Sequence, residues 1–213
     1  MPSTSHDSRR RSFGFAIAMI HVGLVMAFGL FPMEAFAQKV ATLDKVTGDV
    51  KVFTQGKARE LKGRDGMALF ATHIIKTGPD STADIVFETN SIVRVTPNTE
   101  LALSTVNVGK DKSNININLT AGKVFNVVNK LTLGSTYVVQ TSTATSGVKG
   151  TIYSAETNGT ETVFMVKEGQ VEAASPSSPD KPVVVADLTK TVVVAGKLPS
   201  APVPLTPEEI ALF

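Results

Sequence analysis

The run Asn114-Ile115-Asn116-Ile117-Asn118-Leu119, in which polar and apolar residues alternate one for one, limits more than any other feature what this chain can become. A strand sends successive side chains to opposite faces, so Ile115, Ile117 and Leu119 share one face and the asparagines the other. A helix would scatter the same residues around its axis. Shorter bursts of this period recur at Val46 to Phe53, Thr82 to Glu88, Ile92 to Val95, Leu101 to Leu103, Val124 to Val128, Tyr137 to Gln140, Ile152 to Glu156 and Thr162 to Val166. Turn formers separate them: Gly78-Pro79-Asp80, Thr89-Asn90-Ser91, Pro97-Asn98 and Gly109-Lys110-Asp111. Asn158-Gly159 predicts a tight hairpin between the last two bursts. The expected fold is all-β, a single domain of many short strands forming a β-sandwich or an irregular β-solenoid, with no long helix in the mature chain. Phe53, Phe87, Phe125 and Phe164 are expected at its aromatic centre, with Tyr137 and Tyr153 in core or edge packing.

The N-terminus reads differently. Arg9, Arg10 and Arg11 precede an apolar run from Phe13 to Phe31, and Ala35-Phe36-Ala37 follows. This is the pattern of a signal peptide over 1–37, with small residues Ala35 and Ala37 at the cleavage box and Gln38 as the new N-terminus. An uncleaved inner-membrane anchor is the alternative. Arg10-Arg11-Ser12-Phe13 also fits the core of a twin-arginine export signal, with ordinary secretion ahead of it. The expected location is periplasmic or secreted, with membrane contact only through the leader before cleavage. Cysteine is absent, which excludes disulfides, thiolate metal sites and thiol nucleophiles. The mature part is close to neutral and has no basic block, so nucleic acid is not expected as a partner.

Within the mature part the composition divides as a β domain over 38–174, a linker or loop over 175–182, a terminal strand pair over 183–197 and a proline-rich tail over 198–213. The linker reading rests on Ser175-Pro176-Ser177-Ser178-Pro179, and the strand pair on the runs Val183 to Val185 and Val192 to Val194. In the tail, Thr206 with Glu209 makes a capping box and Pro207 occupies the first helical position. The segment is expected to be a frayed end, with a partner-docking peptide as the alternative.

Few side chains offer chemistry. His73 is the one histidine of the mature part, so a multi-imidazole metal site is excluded and a Ser-His-Asp triad would have to use His73, which is expected to be a surface or satisfied histidine. Glu156, Glu161, Glu168 and Glu172 fall near one hairpin and could serve a glycan hydrolase only if two of them faced each other across a substrate. Gly147-Val148-Lys149-Gly150-Thr151 lacks the spacing and the following helix of a phosphate loop. Gly150 reads as a close backbone approach, and Lys149 as half of a surface ion pair. No catalytic, cofactor-binding or metal-binding residue is expected.

Several phrases, read in order, resemble the FecR domain of bacterial envelopes. They begin with Val46-Thr47-Gly48-Asp49-Val50-Lys51-Val52 and with Ile75 to Ala83, which holds Thr77 and Gly78. Phe87 to Leu103 follows, with Ser91, Val93, Arg94, Pro97, Asn98 and Leu101 in place. Leu119 to Val124 holds Gly122, Thr141 to Thr151 holds Thr141, Lys149, Gly150 and Thr151, and Val166 to Val171 holds Glu168 and Gly169. Thr89-Asn90 stands where the family has Asp-Gly, Ser142 where it has proline and Lys149 where it has arginine. The resemblance implies a non-enzymatic envelope module that contacts another envelope protein or a cell-wall polymer. Its alternative is a periplasmic sensor related to iron-transport regulators, without the segment that binds a sigma factor.

Overall fold

The computed structural model describes residues 38–213 except 57, 58, 110 and 111, so the expected leader lies outside the described residues. The chain enters as β1 (Lys39–Thr47), then runs through β2 (Val50–Thr54), β3 (Glu60–Lys62), β4 (Met67–Phe70) and β5 (His73–Thr77). The centre is β6 (Thr82–Phe87), β7 (Ile92–Val95), β8 (Glu100–Val108), the long β9 (Ser113–Val128) and β10 (Thr136–Gln140). The last third is β11 (Thr145–Val148), β12 (Thr151–Thr157), β13 (Glu161–Glu168), β14 (Val171–Ser175), β15 (Ser178–Val185), β16 (Thr189–Val194), β17 (Val203–Pro204) and the single turn α1 (Pro207–Ile210).

Pairing joins these strands into two layers. The front layer runs β4-β1-β6-β7-β9-β12-β13-β16-β17 and the back layer β3-β2-β5-β8-β9-β10-β11-β14-β15. β9 belongs to both. Its first half pairs with β8 and β10, and after a corner at Gly122 its second half pairs with β7 and β12. Elsewhere successive strands or hairpins step from one layer to the other, so the chain advances along a sandwich much as a solenoid would.

The alternating pattern explains which face is buried. Ile115, Ile117 and Leu119 of β9 are fully buried, as are Leu43, Ile85 and Val93 of the front layer and Val52, Ile75 and Leu101 of the back. They form one core with Phe87, Tyr137, Tyr153 and Phe164, where each large apolar side chain contributes about 1.5–3 kcal/mol by leaving water. The layers are also keyed by polar contacts. Tyr137 of the back layer sets its ring edge-on to Phe87 at 6.4 Å and donates its hydroxyl to Asn126 Oδ1 of the front layer at 2.9 Å. Tyr153 lies 3.2 Å from Ser146 Oγ across the same interface.

Several expectations are corrected. The burst from Val46 to Phe53 is two strands, because Gly48 turns the chain with φ +76° and sends β1 and β2 into different layers. Phe53 and Phe125 point away from the core. Val52 and Val124 take the inward positions beside them, which leaves Phe53 under Lys76 and Phe125 on the outer front face. The stretch 175–182 is the last residue of β14, a turn and the start of β15 rather than a linker, since serine and proline suit a hairpin as well as a tether. The two valine runs are strands but do not pair: Val183 to Val185 lie in the back layer on β14 and Val192 to Val194 in the front layer on β13.

The tail is folded back rather than frayed. Ser200 bonds to Val192, β17 pairs with the start of β16, and Leu205 is buried. The capping box is present, with Thr206 Oγ1 accepting from Glu209 N and Glu209 Oε2 accepting from Thr206 N. Phe213 then sets its ring edge-on to Phe125 at 5.3 Å. The Asn158-Gly159 hairpin joins β12 and β13 through a wider loop than a two-residue turn. Asn158 Oδ1 accepts from Thr160 N and Glu161 N, and Gly159 alone takes positive φ.

Candidate functional site

The two ends of the sandwich use different chemistry. At one end the turns are tied by buried hydroxyls. Thr77 Oγ1 donates to Thr96 O at 2.6 Å and accepts from Thr99 N at 3.0 Å, while Thr99 Oγ1 accepts from Lys123 N at 3.1 Å. Asn98 N donates to Gly78 O, Gly78 N to Asp49 O, and Asp49 N to Ser81 Oγ. A second cluster at this end joins Thr141, Thr143, Thr157 and Thr162, with Thr162 Oγ1 2.7 Å from both Thr141 Oγ1 and Thr143 Oγ1. Gly122 allows this packing: at φ +90° its missing Cβ would stand 2.3 Å from Thr99 Oγ1. Gly48, Thr77, Gly78, Pro97, Asn98, Gly122 and Thr141 therefore serve the turns.

The opposite end is tied by backbone approach. A Cβ on Gly169 would stand 2.8 Å from Gly150 O, and Thr151 Oγ1 donates to Gln170 O at 2.9 Å. Ser91 Oγ accepts from Asn129 N at 3.3 Å. These positions too are architectural, but the charged motif side chains here face solvent. Lys149 and Glu168 border a hollow of about 410 Å³ with Lys130, Val127 and Ile152. A second hollow of about 210 Å³ shares Val127 and Ile152 and adds Ile92, Arg94, Asp84 and Phe213.

One strip of the front face thus carries an apolar centre and a charged rim. Val127 is 41% exposed although it sits mid-layer, directly opposite both Ile92 and Ile152. Beside it, Arg94 grips Asp84 with both arms, Nε to Oδ1 at 2.8 Å and Nη2 to Oδ2 at 2.9 Å. Lys45 Nζ approaches the same carboxylate at 3.5 Å. Asp84 is 4% exposed and Arg94 54%, so the pair fixes a guanidinium at the surface, and the carboxylate raises the Arg94 pKa above its ordinary value. The tail forms the other wall. Glu209, held ionised below the usual carboxylate range by Lys190, anchors it, and Phe213 lies against Phe125.

Comparison with known proteins places this arrangement. Residues 73–172 match the FecR protein family. The chain carries a FecR domain. Two crystal structures of a candidate anti-sigma factor from Parabacteroides distasonis, at 1.65 and 2.50 Å, share the fold with a TM-score of 0.52 and 14% identity. Each comparison covers 65% of this chain and 62% of that one, so the chain spans less than two thirds of those molecules. No curated protein matches the sequence.

The remaining reactive groups of the FecR domain are placed apart. Glu156 and Glu161 flank the hydroxyl-rich end of the β12–β13 hairpin, and Lys123 lies 3.4 Å from Glu156. Glu168 is at the other end and Glu172 lies in the back layer, so the four carboxylates do not come together in one place, and Glu156 and Glu161 alone border a common hollow of about 90 Å³. His73 is buried beside Phe70, whose N–H reaches Nδ1 at 3.4 Å, and burial lowers its pKa. Burial also raises the phenol pKa of Tyr137 and Tyr153 well above the ordinary range. Lys149 makes no ion pair among the described residues, against the surface pair expected for it. No group of three or more His, Asp or Glu side chains among the described residues could hold a metal ion.

Arg94, Lys149 and Glu168 were legible as motif positions, but the apolar strip between them was not. Val124 to Val128, expected to alternate, in fact carries apolar residues on both faces of one strand, and that departure was the signal.

Proposed function

We propose that this FecR-domain chain is an exported, non-catalytic interaction module that binds another protein of the cell envelope through the strip centred on Val127 and Ile152. One observation carries the reading: the charged motif side chains Arg94, Lys149 and Glu168, unlike the motif positions spent on turns, border that strip. An apolar centre with a polar rim is the anatomy of a protein interface, where buried apolar contact supplies affinity and surrounding charge supplies selection. Export rests on the Arg9 to Ala37 pattern, and the location is periplasmic or secreted. No helix among the described residues is long and apolar enough to cross a membrane.

The FecR match and the fold likeness to a candidate anti-sigma factor favour a regulatory setting as the second reading. The partner would then be a membrane regulator, and the module would pass it a signal received outside the inner membrane.

Photo-crosslinking residues placed at Val127, Ile152 and, as control, Glu60 test the reading in intact cells. An envelope protein attached from the first two positions and lost in Ile152→Asp supports it, and identification of that protein as a membrane regulator selects the signalling setting. Equal attachment from Glu60, or none from the strip, sinks it. A product beginning at Gln38 is expected from N-terminal sequencing, and one retained in the cytosol from Met1 overturns export.

A further inference from the structure

The outer back face carries a surface that the protein-docking strip does not use. Asn114, Asn116 and Asn118 of β9 point outward at every second position. β8 sets Asn107 opposite Asn114 and Thr105 opposite Asn116, and β10 sets Thr136 beside Asn114 and Gln140 beside Asn118. The result is a flat grid of amides and hydroxyls across three neighbouring strands, with no charged side chain in it. Asparagine is a poor strand former, so three of them on one solvent face of a central strand oppose strand stability. Elsewhere on this face the usual solution appears, with ion pairs Lys51–Glu60 and Lys76–Glu100.

Two further observations mark the grid as a place for a ligand. The Asn116 carboxamide oxygen is shielded from solvent yet has no hydrogen-bond partner, a costly state for a polar atom. Beside it, Gly147 of β11 lies opposite both Val138 and Glu172, and a Cβ there would meet nothing within 4 Å. That gap opens a hollow of about 220 Å³ walled by Thr136, Val138, Lys149 and Glu172.

We infer that this face binds a neutral glycan strand bearing hydroxyl and acetamido groups. A carboxamide carries both donors and an acceptor, which matches hydroxyls and acetamides that likewise offer both. Asn114 Oδ1 already accepts from Thr136 Oγ1 at 3.1 Å and Asn116 Oδ1 is shielded, so the amide donors of the row and the exposed Asn118 carry the contact. The three-strand grid gives a polyanion or polycation no counter-charge, Lys149 and Glu172 at the hollow oppose each other in sign, and the apolar floor of Val138 and Gly147 accepts a sugar face or an acetyl methyl. The inference shares the exported location with the protein-docking reading, and the two sites adjoin at Lys149, which borders both hollows.

The test uses the purified exported protein with isolated peptidoglycan sacculi and with a soluble tetramer of β-1,4-linked N-acetylglucosamine. Wild type is expected to sediment with sacculi, and the tetramer to shift the side-chain amide resonances of Asn114, Asn116 and Asn118. Asn116→Thr with Asn118→Thr keeps a β-compatible surface, so it should remain folded while binding falls about tenfold or more. Gly147→Val, which fills the hollow, should act likewise, whereas Ile152→Asp should retain glycan binding even if it loses the protein partner. Undiminished binding by the asparagine variants, shifts confined to another face, or retention by a polyanionic glycan alone would each overturn the inference.

Discussion

The two ends of the sandwich hold their turns together by opposite means. At the Thr77 and Thr162 end, hydroxyls are buried and bond to backbone groups or to one another, so the side chains there are structural and unavailable to a ligand. At the Gly150 and Gly169 end, backbones touch directly, which leaves Lys149 and Glu168 free at the surface. A family motif can therefore be uniform in sequence and divided in role, with one end specifying the fold and the other displaying charge.

The sharpest break should come from Gly122→Ala. A Cβ there collides with Thr99 and adopts an unfavourable φ, so chemical denaturation should show a loss of roughly 2–4 kcal/mol. Thr162→Val leaves Thr141 and Thr143 without their shared partner and should cost about 1–3 kcal/mol by the same measurement. Phe213→Ala removes the ring contact that seats the tail on Phe125, and a loss of about 0.5–1.5 kcal/mol is expected as a lower thermal midpoint.

A smaller effect should appear in the pH dependence. Burial lowers the His73 pKa below its ordinary 6.5, so the unfolded chain takes up the proton first. Stability from this group is complete above that ordinary value and declines as pH falls through the lower folded value. His73→Gln should flatten the decline in denaturation midpoint between about pH 7 and 5. Lys149→Ala with Glu168→Ala should change stability by no more than about 0.5 kcal/mol while crosslinking from Ile152 is lost. A large stability loss in that double variant would erase the distinction between the ends.

Much of the strand inventory was legible because an alternation of two residues has one reading when turn formers bound it. Ile115 to Leu119, Ile85 and Val93 needed nothing more. The layer to which each strand belongs was not legible, because Val183 to Val185 and Val192 to Val194 look alike and only long-range pairing sends them apart. The hydroxyl clusters were hidden for the same reason: Thr77 meets Thr96 across 19 positions of sequence and Thr141 meets Thr162 across 21. Phe53 and Phe125 were misplaced by residue type, since strand parity decides what faces inward. In the candidate site, the charged motif positions could be named from sequence, but their grouping around Val127 and Ile152 required the register of β9 with β7 and β12.

Because β9 turns its corner at Gly122 and serves both layers, neither can peel away without dismantling the other. A fragment limited to 73–172 would strip β5 and β6 of their partners β2 and β1 and bare two long edges. The recognisable motif is thus narrower than the smallest piece that should fold alone, and trimming the protein to it should yield aggregates.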